Sequence, residues 1–454
     1  MTKYFKLYIL FLFFSITGFS QISKVHYIPP LTNNKSLSGG SSIPLDQYMY
    51  LSTPSENNVT VTITPLNGDS PTTYNNLSNG NPIRYDIGTS WNGTNYTPSQ
   101  LFVDHETTGG NTALNAGFVV EADCPIYVSI RYNAGAQAGA LVSKGDASLG
   151  TNFRAGMMTN GTVQSANAHF TANSFFSVMA TQDNTIVSID LPNALIGETT
   201  LSNYNYQGPF TKVLQKHESM VLSLDFENTN ANNQGARNSL NGALIRSVDE
   251  DGTEDGTKPL VVNVGSASGS FSATGSGHDH GIDQIVGLDR VGHEYIFVRG
   301  NGQNLNDGGQ LETPLIISTK DNTHLYINGS TTATATIDAG DIWLATSDLW
   351  SSQNQGATMY IRTQDKNYPV YAYQGIAGNG DSEANQGMFF VPPISEDAND
   401  DVNNIPDIDF IGNDPYQEQA GVSIVTNIDA SITISENGTA YDVSLLNPVT
   451  VLGR

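Results

Sequence analysis

Apolar and hydroxyl residues alternate in several short stretches of the chain. Asn58-Val59-Thr60-Val61-Thr62-Ile63-Thr64 has period two, which puts Val59, Val61 and Ile63 on one buried face of a strand. The pattern returns in Asp183-Asn184-Thr185-Ile186-Val187-Ser188-Ile189, in Asp321-Asn322-Thr323-His324-Leu325-Tyr326-Ile327 and in Asp429-Ala430-Ser431-Ile432-Thr433-Ile434. Each copy follows another apolar run: Tyr48-Met49-Tyr50-Leu51, Phe175-Phe176-Ser177-Val178, Leu315-Ile316-Ile317 and Val422-Ser423-Ile424-Val425. Polar turns rich in Asn, Asp and Ser separate the paired runs, so each unit is expected to open with a hairpin. A second recurring strand begins with proline: Pro125-Ile126-Tyr127-Val128, Pro259-Leu260-Val261-Val262 and Pro369-Val370-Tyr371-Ala372. Proline at a strand's first position forfeits no interior ladder bond. No helical period of useful length follows the first twenty residues.

These repeats lie much further apart than the roughly 40–50 residues of a propeller blade. Each unit has room for about six to eight strands, enough to close a β-sandwich over its own core. The expected fold is all-β, in tandem β-sandwich-like units, with a β-propeller as the alternative. Boundaries fall at 21–164, 165–284 and 285–395, followed by residues 396–454, an acidic linker and an incomplete fourth unit. That fourth unit lacks its proline-led strand, which suggests the N-terminal part of a longer protein.

Residues 1–20 read as an address. Lys3 and Lys6 precede an apolar run from Leu7 to Phe14, and Gly18 and Ser20 supply the small residues of a signal-peptidase site before Gln21. The run is shorter than the about 20 residues that span a bilayer, and the mature chain offers no other transmembrane segment. The expected location is secreted or extracellular, at the outer-membrane surface.

Charge narrows the partners. With 19 Lys and Arg against 44 Asp and Glu, the formal charge is −25, which removes any electrostatic route onto nucleic acid. The single cysteine, Cys124, cannot form an internal disulfide and reads as a small hydrophobe at a strand start.

Several longer strings have a consistent order: Tyr27-Ile28-Pro29-Pro30-Leu31, Leu141-Val142-Ser143-Lys144-Gly145, Leu149-Gly150-Thr151-Asn152-Phe153-Arg154, and Ser177-Val178-Met179-Ala180-Thr181-Gln182-Asp183-Asn184-Thr185. Leu240-Asn241-Gly242-Ala243-Leu244-Ile245, Gly281-Ile282-Asp283-Gln284-Ile285-Val286, Tyr373-Gln374-Gly375 and Phe389-Phe390-Val391-Pro392-Pro393 complete the set. Together they resemble the IgGFc-binding-protein N-terminal domain family, as it occurs in secreted surface proteins of the Bacteroidetes. The resemblance implies an extracellular all-β module at the front of long cell-surface proteins linked to adhesion or gliding motility and exported by type IX secretion. No motif here carries Fc binding over. Physically, Lys144 and Arg154 are two of few basic residues, so pairing with surplus carboxylates is their expected role. The double prolines read as extended connectors.

Candidate chemistry is sparse. His278 and His280 would share a strand face and could bind zinc or copper with Asp283 as oxygen ligand; the Ser/Gly-rich run before them reads instead as a solvated loop. Asp397, Asn399 and Asp401 begin like a calcium loop, with Asp407 and Asp409 further on, but Val402 and Ile408 stand where an EF-hand needs Gly and Glu. Ca2+ is therefore the one cofactor to weigh, against an acidic linker. Gly88-Thr89-Ser90-Trp91-Asn92 lacks the final glycine of a hydrolase elbow. Trp91, Trp343 and Trp350 could stack on sugars. No catalytic residue is assigned, and the binding surface is open. The sequence points to a non-enzymatic recognition or adhesion protein with an extracellular protein or glycan ligand. Carbohydrate binding or processing is the alternative, and a structural spacer the second.

Overall fold

The computed structural model describes residues 22–33, 43–104, 108–135, 137–159, 173–225, 234–252, 255–271, 279–300, 311–376, 387–395, 402, 405–415, 422–436, 438–445 and 448–454. The signal sequence expected at 1–20 lies outside them.

The first set of strands comprises β1 (Ser23–Ile28), β2 (Leu31–Thr32), β3 (Asp46–Ser52), β4 (Val59–Pro65), β5 (Thr72–Leu77), β6 (Ile83–Gly88), β7 (Phe102–Val103), β8 (Phe118–Ala134) and β9 (Gln137–Val142). β8 crosses between two layers. Its first half pairs β1 and β4, and its second half pairs β3 and β9. Pro125 sits in the gap, after β4 has left at Ala122 and before β3 joins at Tyr127, so its missing N–H breaks no bond to either. Layer orders are therefore β1-β8-β4-β5 and β6-β3-β8-β9.

The second set comprises β10 (Asn152–Arg154), β11 (Asn173–Ala180), β12 (Thr185–Asp190), β13 (Phe210–Leu214), β14 (Ser219–Ser223), β15 (Leu244–Val248), β16 (Leu260–Gly269) and β17 (Asp279–Ile285). Its sheets run β10-β15-β12-β13 and β14-β11-β16-β17. The third comprises β18 (Glu294–Val298), β19 (Pro314–Ser318), β20 (Thr323–Ile327), β21 (Ala335–Ile337), β22 (Ile342–Leu344), β23 (Thr358–Arg362), β24 (Val370–Ile376) and β25 (Gly387–Phe390). These form β18-β23-β20-β21 and β22-β19-β24-β25. The same eight-strand plan thus occurs three times, and only in the first are its sixth and seventh strands one continuous strand. The fold is all-β, built from separate paired sheets rather than propeller blades. β10 pairs β15, so the second set of strands starts before residue 165.

The expected opening hairpins do not form. β3 and β4 lie in opposite layers, as do β11 and β12, and β19 and β20. Each apolar run finds its partner on a different half of the sixth–seventh strand pair, so the polar turn between the runs is an arch over the core. Val59, Val61 and Ile63 all reach 0% exposure in the first core, and each such side chain contributes roughly 1.5–3 kcal/mol on burial. Helix among the described residues is short, the one α-helix being Gln234–Arg237. Cys124 stands inside β8 at intermediate exposure rather than at a strand start.

The sandwiches pack on one another through their second layers. Phe175, Val221, Ala267 and Ile282 of the second sandwich join the first core. Leu315, Ile317, Tyr371 and Tyr373 of the third join the second. Beyond the third sandwich, β26 (Phe410–Ile411) and β27 (Asp414–Pro415) form a hairpin that returns to the first, where Arg131 binds the carbonyls of Pro406, Asp407 and Phe410. The strand pair expected at 422–434 is absent there; Val422 and Ile424 are exposed. Among the described residues no sixth or seventh strand stands beside them. β28 (Ser435–Glu436) and β29 (Thr439–Ala440) form a small hairpin.

Candidate functional site

β17 is buried along its whole length, between β9 of the first sandwich and β25 of the third. This is where the candidate metal residues lie, and burial corrects the loop reading for 279–285. His278 is outside the described residues. His280 and Asp283 are three apart on one strand, so they project from opposite faces and do not converge. His280 Nδ1 is 3.0 Å from the Tyr132 hydroxyl. Asp283 instead receives the Lys144 ammonium at 3.0 and 2.9 Å, the Val142 amide at 3.3 Å and the Phe390 amide at 2.9 Å. One carboxylate therefore ties strands of three sandwiches together. Among the described residues no group of three His, Cys, Asp or Glu side chains could hold a metal ion. Asp397, Asn399 and Asp401 lie outside the described residues. Asp407 is described, and its side chain lies 3.9 Å from the Arg84 guanidinium, a resident cation.

The neighbours of Asp283 extend the joint. Gln284 Oε1 accepts the Lys144 amide at 2.8 Å, while its Nε2 donates to the Tyr27 carbonyl at 2.9 Å and to Asn263 Oδ1 at 3.1 Å. Asn263 in turn donates to the Pro29 carbonyl at 2.8 Å. The Tyr-Ile-Pro-Pro run is thus a buried rail of carbonyls. His26 Nε2 faces the carbonyls of Ile126 at 3.0 Å and Ser23 at 3.2 Å, so it carries the proton, and Nδ1 lies 3.0 Å from the Ser143 hydroxyl, which also donates to Gln284 Oε1 at 3.1 Å. Burial pushes this imidazole down to about 4. Burial pushes Asp279 up to about 8, although the Ala138 and His280 amides donate to it at 3.0 and 2.8 Å and oppose the rise. Four of the strings that carry the family resemblance, those holding Tyr27, Lys144, Asp283 and Phe390, meet here, at a joint. Lys144 pairs with a carboxylate as expected; Arg154 donates to the Gly242 carbonyl at 2.8 Å.

A surface opening lies elsewhere. A cleft of about 520 Å3 on the first sandwich is lined by the turn after β4, the end of β6 and the segment before β8, including Asn67, Asp69, Thr89, Gln100 and Asn115. Asp69 accepts from Gln100 at 2.7 Å and Asn67 at 2.9 Å, and these bonds hold its carboxyl below the usual range. Tyr85 donates to the other end of Gln100 at 3.1 Å. Asp69 is the one ionisable residue among the described residues of this lining. What the cleft offers is amides and hydroxyls for hydrogen bonding. Sequence reasoning missed it because its residues are ordinary turn formers far apart in the chain. Of the tryptophans, Trp350 is buried in the third core, with Trp343 packed against that core; Trp91 is half-buried, beside the first cleft's Thr89.

Comparison with curated proteins and with solved structures gives no match. The family described as IgGFc binding protein matches residues 138–450, from β9 through the second and third sandwiches and beyond. It is a family of binding proteins, not of enzymes; the cleft, at residues 67–116, lies before the matched residues. By the extent of that match, the chain belongs to the IgGFc binding protein family.

Proposed function

We propose that this is a secreted, non-enzymatic recognition protein of the cell surface, acting in adhesion as the front of a gliding-motility-associated protein exported by type IX secretion. The observation that carries the recognition reading is the chemistry of the first-sandwich cleft: fixed amides and hydroxyls around a single carboxylate. Such a site suits a polar ligand, and its described residues include no second acid or base. Packed sandwiches supply a stiff support, which lowers the ordering cost of presenting loops. Family membership supports an extracellular protein ligand, and IgG Fc is the first to try.

A carbohydrate ligand is the second reading, favoured by the same cleft, whose amides and hydroxyls suit sugar hydroxyls. Purified protein is passed over immobilised Fc, mucin glycoprotein and polysaccharides, and the supernatants are assayed for released sugar. Saturable binding without release is expected, weakened at least tenfold in Gln100→Ala. Sustained sugar release would overturn the non-enzymatic reading, and undiminished binding by Gln100→Ala would remove the cleft from it.

A further inference from the structure

In the second and third sandwiches, outward side chains of the seventh strand bind backbone carbonyls of the preceding sandwich. Asn263 of β16 binds Pro29, and Tyr373 of β24 binds the Arg154 carbonyl at 3.1 Å. The first sandwich has no described sandwich before it, yet its outward face makes the same kind of contact. Arg131, on the second half of β8, donates to the carbonyls of Pro406 and Asp407 at 2.6 Å and of Phe410 at 3.1 Å. Its guanidinium lies 4.2 Å from the centre of the Tyr50 ring, and the Tyr50 hydroxyl accepts the Gly412 amide at 2.7 Å. Arg84 rests over Tyr48, 5.3 Å from the ring centre, and binds Asn413 Oδ1 at 2.9 Å and the Gly412 carbonyl. Three carboxylates, Asp407, Asp409 and Asp414, lie in the turn opposite these two arginines in a chain of charge −25.

We infer that this arginine–tyrosine face is a docking site for an acidic peptide turn, occupied here by the chain's own residues 405–415. Planar guanidinium groups stacked on tyrosine rings present donors in fixed directions and suit carbonyl-rich, anionic turns. The resident turn is held lightly. Pro406, Ile411 and Gly412 are its buried residues, Phe410 is 40% exposed, and its hairpin has two residues per strand. Such an element opens at a small fraction of the global free energy, so another acidic turn can take its place.

Gly412 provides the test. Its φ is +61°, strained for any side chain, and a Cβ there would lie 2.2 Å from the Tyr48 ring, so Gly412→Val works against the seated turn while every residue of the face keeps its identity. A fluorescein-labelled peptide of residues 403–416 is titrated into full-length wild-type and Gly412→Val protein and followed by anisotropy. The inference expects binding at least tenfold tighter to Gly412→Val, lost again when Arg84→Glu is added. Equal binding, or none to either protein, overturns it. Should Gly412→Val fail to fold, hydrogen exchange of the wild type decides. The Gly412 amide exchanging much faster than those of Met49 and Tyr50 beneath it supports a displaceable turn, and exchange at their rate overturns it.

Discussion

Buried ion pairs stand both inside a sandwich, where Arg299 meets Glu312 at 3.3 Å in the third, and at a seam, where Lys144 meets Asp283. Lys144 and Asp283 are 6% and 4% exposed in their side chains, so neither ion has water to fall back on. Lys144→Met leaves the carboxylate unpaired and is expected to cost about 3–5 kcal/mol, whereas Lys144→Met with Asp283→Leu costs less than either change alone. Urea unfolding of the four proteins checks the order. Asp279 and His26 make opposite contributions to the pH dependence. Between its ordinary 3.8 and its folded value of about 8, Asp279 keeps a proton that the unfolded chain has released, so its contribution falls as pH rises. His26, lowered from 6.5 to about 4, is neutral when the unfolded chain is charged, so its contribution rises over that window. Asp279→Asn is expected to raise the urea midpoint more at pH 8 than at pH 5; equal changes at both would remove the burial argument. At this scale sequence foretold that Lys144 would meet a carboxylate, because acids outnumber bases. It could not say which acid, since residues 144 and 283 become neighbours only when two sandwiches dock. For the same reason His280 and Asp283 looked like ligands: proximity in the chain was visible, and their opposite faces were not.

Strand positions were legible wherever period two was clean, as in β4, β12 and β20. Their partners were not, because alternation reports which side chains are buried and says nothing of which neighbour supplies the hydrogen bonds. That is why the alternation reads as hairpins where arches form, and why it is found at 422–434 without a strand. Seams between sandwiches depend on close backbone approach. Gly242 has φ +80°, and a Cβ on it would lie 2.0 Å from the Gly340 carbonyl oxygen in the third sandwich. Backbone cannot give way as a flexible side chain can. Gly242→Ala is therefore expected to destabilise by more than about 1 kcal/mol, read as a lower melting temperature. An unchanged one would mean the seam is loose.

On the scale of the whole molecule, the three sandwiches share cores across their seams, since side chains of each later unit complete the core of the one before. Unfolding by calorimetry is therefore expected to show one cooperative transition for residues 22–395. Asp283→Ala, which leaves Lys144 buried without its partner, should split it into two; a split transition in the wild type would contradict the shared cores. The tandem plan itself was readable from the recurring strand pairs and proline-led strands. The cleft on the first sandwich was not, because no spacing rule links Asn67, Thr89, Gln100 and Asn115.

One consequence follows for a protein pulled from its far end. The chain reaches residues 405–415 from the third sandwich but lays them on the first, closing the array into a loop. Once the contact of Arg454 with Glu294 on the third sandwich has parted, tension would arrive at Arg131 and Tyr50 before any broad ladder bore load. Those contacts would let go as a zip opens while every sandwich stayed whole. A weak clasp in that place works as a shock absorber.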